Sequence, residues 1–162
     1  MSLEEEMRQR VARYGDRRED WEVFGCETSL EPNFARSQRR YIGASGSLSH
    51  DDPNSIVPTA FTMSIQTIPA GNRIPVHQHE TEETFFVLDG DCTVKLFRED
   101  ETVTITLGRW DLVSIPASIW HDVSNGGTGS CALQTLLSKT QPDRPYYQDE
   151  RLRELQAASP AR

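Results

Sequence analysis

From residue 60 onward, hydrophobic and polar residues alternate in short runs broken by turn residues, the pattern of half-buried β-strands. Phe61, Met63 and Ile65 alternate with Thr62, Ser64 and Gln66, and Pro69-Ala70-Gly71 then turns the chain. A strand is expected over 84–88, a hairpin at Asp89-Gly90, and a second strand over 92–97. The charged residues 98–101 make the next turn, and Val103, Ile105 and Leu107 alternate with threonines beyond it. Strands over 111–115, 119–123 and 131–137 complete the series, with Asn125-Gly126-Gly127 between the last two. Strands this short and regular predict an all-β fold, an antiparallel sandwich or barrel.

The flanks read differently. Ser2 and Glu5 form a capping box, and Leu3, Met7, Val11 and Tyr14 recur at helical spacing until Gly15, predicting a docked amphipathic helix with a solvated charged face. Residues 21–24 and 39–42 are expected to be short strands. Residues 43–58 are rich in Gly, Ser, Asp and Pro and read as a loop carrying His50 as a solvated turn residue. After Pro142 a linker leads to a short helix around Leu152 and Leu155. The expected division is an N-terminal helix and strand/loop extension packed on the barrel (1–58), a β-barrel (59–139), and a C-terminal linker and helix (140–162).

Length and charge narrow the function. The 162 residues suit one domain with extensions, and 25 acidic against 17 basic residues give a net charge of -8. That balance argues against nucleic acid, which needs a basic footprint, and against an anionic membrane surface. No apolar run approaches the roughly 20 residues of a transmembrane helix. Three widely spaced cysteines and an acidic amino terminus without a secretory pattern lead to the expectation of a cytoplasmic protein. Cys92 and Cys131 fall in strand-like runs and read as small buried residues.

Candidate chemistry concentrates between Gly71 and Gly90. His77 and His79 are two apart, so on an extended strand both imidazoles face one way, and Glu83 opens a strand that continues Phe85 and Val87 on its own side. Two imidazoles and a carboxylate converging on one point suit a divalent transition metal, and His121 offers a fourth ligand. Phe85, Val87, Ile119 and Val123 share the ligands' faces by strand parity and form a candidate apolar pocket wall, with Met63 a further candidate. Arg73 is the best single candidate for an anionic substrate tail.

These residues resemble the cupin superfamily. Its first motif, G-x5-H-x-H-x3,4-E-x6-G, is met at Gly71, His77, His79, Glu83 and Gly90, which selects Glu83 over Glu80 and Glu82. Its second, G-x5-P-x-G-x2-H-x3-N, is met at Pro116, His121 and Asn125, whereas Trp110 and Ser118 stand where glycines belong and put the turn geometry in question. The resemblance covers about half the chain, roughly 61–137. It implies a double-stranded antiparallel β-barrel, the cupin or jelly-roll fold, and one divalent ion held by His77, His79, Glu83 and His121: iron, manganese or nickel first, zinc or copper as alternatives.

Three neutral histidines and one carboxylate leave a divalent ion a net charge near +1 and, in octahedral geometry, open positions for an anionic oxygen ligand and for water or dioxygen. The expectation is a metal-dependent enzyme of dioxygenase type acting on a small enolisable or aromatic acid. The alternatives are a non-redox isomerase, decarboxylase or lyase, or a non-catalytic small-molecule sensor, because fold alone does not choose among them. The expected partners are a small-molecule substrate and, because a small barrel leaves sheet edges, a second copy in a homodimer.

Overall fold

Two five-stranded sheets face each other across one interior. The computed structural model describes residues 2–44 and 54–159. Within them lie β1 (Ser37–Ile42), β2 (Thr62–Ile68), β3 (Arg73–Gln78), β4 (Glu83–Asp89), β5 (Cys92–Arg98), β6 (Glu101–Leu107), β7 (Leu112–Ile115), β8 (Trp120–Ser124), β9 (Cys131–Leu137) and β10 (Tyr146–Tyr147). Three helices flank them, α1 (Leu3–Arg8), α2 (Gly25–Leu30) and α3 (Glu150–Ala158). One sheet runs β1-β2-β9-β4-β7 and the other β10-β3-β8-β5-β6, with every pairing antiparallel. This is the all-β, jelly-roll architecture that the alternation pattern and the motif resemblance imply.

One end of the interior is apolar. Ile68, Ile74, Phe85, Val87, Val94, Val123 and Leu133 pack there with Cys92 and Cys131, all buried. Both cysteines are free thiols in strand positions, as small buried residues should be. Gly90 makes the Asp89-Gly90 hairpin possible. Its φ is 75°, and a Cβ there would lie 2.8 Å from the Ser130 carbonyl oxygen.

The flanking segments supply both outer strands of the seam, since β1 is the edge of one sheet and β10 the edge of the other. A buried ion pair fills the space between them. Arg36 Nη1 donates to Glu27 Oε2 at 2.5 Å, Arg36 Nε donates to Gln66 Oε1 at 2.8 Å, and the Tyr147 hydroxyl donates to Glu27 Oε1 at 2.5 Å. Helix α2, strands β1 and β2 and the C-terminal β10 are thereby tied together. Burial beside the Glu27 carboxylate holds the Tyr147 phenol well above its ordinary pKa, so it stays a neutral donor.

Several expectations about the N-terminal region are corrected. The capping box at Ser2 and Glu5 forms, but α1 ends at Arg8 and buries no residue. Leu3, Met7, Val11 and Tyr14 are all exposed, so a run of helical spacing without a surface to cover does not become a docked helix. Residues 21–24 are a bend and turn rather than a strand, and they lead into α2. Asp20 caps that turn by accepting from the Glu22 and Val23 amides. The 39–42 strand is present as the end of β1. His50 lies outside the described residues.

Candidate metal centre

His77, His79, Glu83 and His121 come to the interior from three different local devices. Glu83 is the first residue of β4, and strict alternation buries Glu83, Phe85 and Val87 while Thr84 and Phe86 face outward. Glu82 therefore stays outside, accepting from the Ser114 hydroxyl at 2.6 Å, and Glu80 is paired with Lys139 at 3.0 Å.

His77 depends on a bulge. In β3, Ile74 pairs with Val123 of β8 and His77 pairs with His121, so three steps on one strand match two on the other. The extra residue lets both Ile74 and His77 face inward, and it sets the His77 and His121 rings 4.3 Å apart between centroids. Pro75 sits in this irregular stretch, and a proline inside a paired strand is the sequence signal for such a device. His79 lies just past the end of β3, where its carbonyl accepts from the Ser118 amide at 2.8 Å.

The nitrogens are oriented. His77 Nδ1 is 2.8 Å from the Pro75 carbonyl, and His121 Nδ1 is 2.9 Å from the Ile119 carbonyl. A carbonyl oxygen only accepts, so both Nδ1 atoms carry hydrogen and both Nε2 atoms turn to the centre. There, Glu83 Oε2 has His121 Nε2 at 2.9 Å, His77 Nε2 at 3.5 Å and His79 Nε2 at 3.6 Å. Ligand atoms of His77, His79 and Glu83 all fall within 4.8 Å of one another.

Electrostatics match that geometry. Burial keeps His79 neutral, with its pKa lowered to about 4, and burial together with the nearby His121 charge lowers that of His77. For His121, burial opposes the charge, but the Glu83 carboxylate outweighs it and the pKa rises. For Glu83, burial would push the pKa up, but the three imidazoles prevail and hold it well below the usual carboxylate range. With Nδ1 committed to Ile119, the 2.9 Å contact makes His121 donate from Nε2 as well, so a proton occupies the gap between imidazole and carboxylate. Three nitrogens and an anionic oxygen aimed at one buried point fit a divalent transition ion, which takes that proton's place.

The residues expected to form an apolar pocket are distributed otherwise. Phe85, Val87 and Val123 are fully buried in the apolar core, with the Phe85 ring centroid 5.8 Å from that of His121. Met63 is on the outer face of β2, because alternation buries Thr62, Ser64, Gln66 and Ile68 instead. Ile119 lines a cavity of about 260 Å³ with Leu96, Phe97, Val103 and Pro116. Arg73 is engaged elsewhere: its Nη2 donates to Glu31 at 2.7 Å, and its guanidinium lies over the Phe34 ring. Another cavity, about 290 Å³, meets His79 and is lined also by Glu80, Ser118, Arg144 and Tyr146.

The second motif is built around Asn125. Its Nδ2 donates to the Ile68 and Gly129 carbonyls, both at 2.8 Å, and its Oδ1 accepts from the Gly127 amide at 3.0 Å. The two non-glycine positions keep the turn geometry that glycine would provide. Trp110 has φ 74° and Ser118 φ 65°, and their amides donate to the Val87 and His79 carbonyls at 2.8 Å.

Residues 64–137, which hold most of both sheets, match the family model described as Cupin domain. No curated protein sequence matches the chain. Among solved structures, one of Bacillus subtilis oxalate decarboxylase, from work on its Mn(II) centres, superposes with a TM-score of 0.55 at 18% identity, covering 65% of this chain and 26% of that one. The S161A mutant of the same enzyme gives 0.55 at 17% identity, covering 66% and 26%. The chain thus spans about a quarter of the length of these proteins, and the likeness is one of fold. Among the described residues no helix is long and apolar enough to cross a membrane.

Proposed function

We propose that this protein holds one divalent transition metal ion on His77, His79, Glu83 and His121 and is a metal-dependent enzyme acting on a small enolisable acid. The carrying observation is the convergence of three imidazole Nε2 atoms on Glu83 Oε2 within 2.9–3.6 Å. When bound, the ion supplies a Lewis acid for a carboxylate and its neighbouring oxygen and, if redox-active, a partner for dioxygen. The protein's own contribution is orientation: the Pro75 and Ile119 carbonyls fix two ring tautomers, and the β3 bulge aims His77. Burial keeps His77 and His79 neutral, so no proton competes for them near pH 7.

The substrate reading narrows to the enolisable acid, because the inward wall of β2 is polar at Thr62, Ser64 and Gln66. Oxygen-dependent oxidation is the reaction class we infer, and iron, manganese or nickel the metal. Anaerobically iron-loaded protein screened against small hydroxy and keto acids consumes oxygen, and His79→Ala does not. Turnover that persists without oxygen and with zinc assigns the site to the isomerase, decarboxylase or lyase class instead. A homodimer belongs to the same reading, supported by edge strand β6 with its exposed Val103, and light scattering tests it.

A further inference from the structure

The interior beside the metal centre has a second, neutral polar wall. Thr62 pairs with Leu137, which pairs in turn with Glu83, so Thr62 lies in the row of the metal ligand two strands away. At the usual strand spacing of ~4.8 Å that is about 10 Å along the sheet. In the next row Ser64 pairs with Thr135 on one side and Arg40 on the other, and Gln38 pairs with Gln66 one row further. All of these side chains face inward and are buried.

Most of the wall's hydrogen-bonding capacity is used. Gln66 donates to Thr135 Oγ1 at 3.1 Å and accepts from Arg36, and Gln38 Nε2 donates to Ser64 Oγ at 3.1 Å. Among the described residues, Thr62 Oγ1 and Gln38 Oε1 have no partner. Exchanging the ends of the Gln38 amide does not remove the vacancy, since one end faces Ser64 in either orientation and the other stays open. Polar groups this deep are nearly always bonded, so these two call for a partner.

The open groups also carry a selectivity. The two inward arginines are held by carboxylates, Arg36 by Glu27 and Arg40 by Asp20 at 3.3 Å. The Gln38 amide and the Thr62 hydroxyl match a hydroxyl group that both donates and accepts. We propose that Gln38 and Thr62 form a substrate subsite for the hydroxyl groups of a small hydroxy acid whose carboxylate end reaches the metal. The inference rests on the metal-site reading above and names its substrate class.

The test uses nickel-loaded protein and calorimetric titration with three six-carbon acids: gluconate or galactonate, hexanoate, and adipate. The better of the two sugar acids binds at least tenfold more tightly than hexanoate or adipate. In Gln38→Leu/Thr62→Val that preference collapses while hexanoate affinity stays where it was. The isosteric Thr62→Val alone, which keeps the fold if the double variant does not, weakens the sugar acid several-fold. Equal or tighter binding of adipate or hexanoate, no binding of either sugar acid, or a preference that survives in the variants overturns the subsite. Metal content measured on the same samples separates this failure from failure of the ligand set: stoichiometric nickel with no hydroxy-acid preference overturns the subsite alone.

Discussion

His121 Nε2 lies 2.9 Å from Glu83 Oε2, and the two residues come from opposite sheets. The contact joins the sheets at the point where the other two imidazoles also converge. Removing either partner leaves a buried group without its complement. Glu83→Ala and His121→Ala each weaken metal binding by more than about 100-fold, since changes one layer further out already cost 10–100-fold. Competition with a chromophoric chelator measures this, and affinity within threefold of the parent contradicts it.

Acid should destabilise the metal-free protein in a defined window. His79 is neutral in the fold down to about pH 4, whereas unfolded it takes up a proton near 6.5. The unfolded chain therefore binds more protons between those values, and the stability from a neutral buried His79 is full above 6.5 and lost as pH falls toward 4. His77 acts in the same direction, and the depressed pKa of Glu83 adds a loss below the ordinary carboxylate range. His121 acts oppositely, its charged pair being lost as pH rises through its raised pKa. Thermal melts from pH 7 to 4.5 show a falling Tm whose slope is reduced in His79→Gln. Parallel slopes in the two proteins contradict the assignment.

Metal binding has its own proton signature. Because an ion replaces the proton between His121 and Glu83, binding releases protons and its affinity rises with pH up to the raised His121 pKa. Calorimetry in buffers of different ionisation enthalpy reads that release directly. Zero net proton release at pH 6 counts against the replacement.

Ser118 holds φ 65° beside the metal centre with its side chain exposed. An L-residue in the left-handed region costs about 1–2 kcal/mol, part of which glycine returns as chain entropy. Ser118→Gly therefore stabilises by about 0.5–1 kcal/mol, or about 1–4 °C in Tm, without altering metal stoichiometry. A lowered Tm would show that the serine side chain does more than occupy a strained turn.

The seam at β1 and β10 depends on Glu27 and Arg36, both almost fully buried. Glu27→Ala strands the guanidinium and should cost about 3–5 kcal/mol, detectable as a lower denaturant midpoint. A loss under 1 kcal/mol would mean that water reaches the seam.

The barrel strands were legible because alternation, the Asp89-Gly90 hairpin and the charged 98–101 turn all act locally. The four candidate ligands were legible from spacing and motif, but the bulge that brings His77 inward was announced only by Pro75. Phe85, Val87 and Val123 face inward as strand parity expects, but an apolar-inward rule fails for Met63, where the interior needs hydrogen bonds. On β2 it is Thr62, Ser64 and Gln66 that face in, while Met63 and Ile65 face out. Helix α2 left no sequence signal at all: Phe24 precedes it without a side-chain cap, and what fixes it is the long-range bonding of Glu27 to Arg36 and Tyr147.

The central claim is a single divalent ion on four named side chains, and metal stoichiometry tests it most directly. Protein dialysed against manganese, iron, nickel or zinc and then freed of unbound ion should retain one ion per chain, and folded His77→Ala, His79→Ala and Glu83→Ala should retain almost none. Full occupancy in those variants, or an empty but folded parent under every metal, would contradict the account.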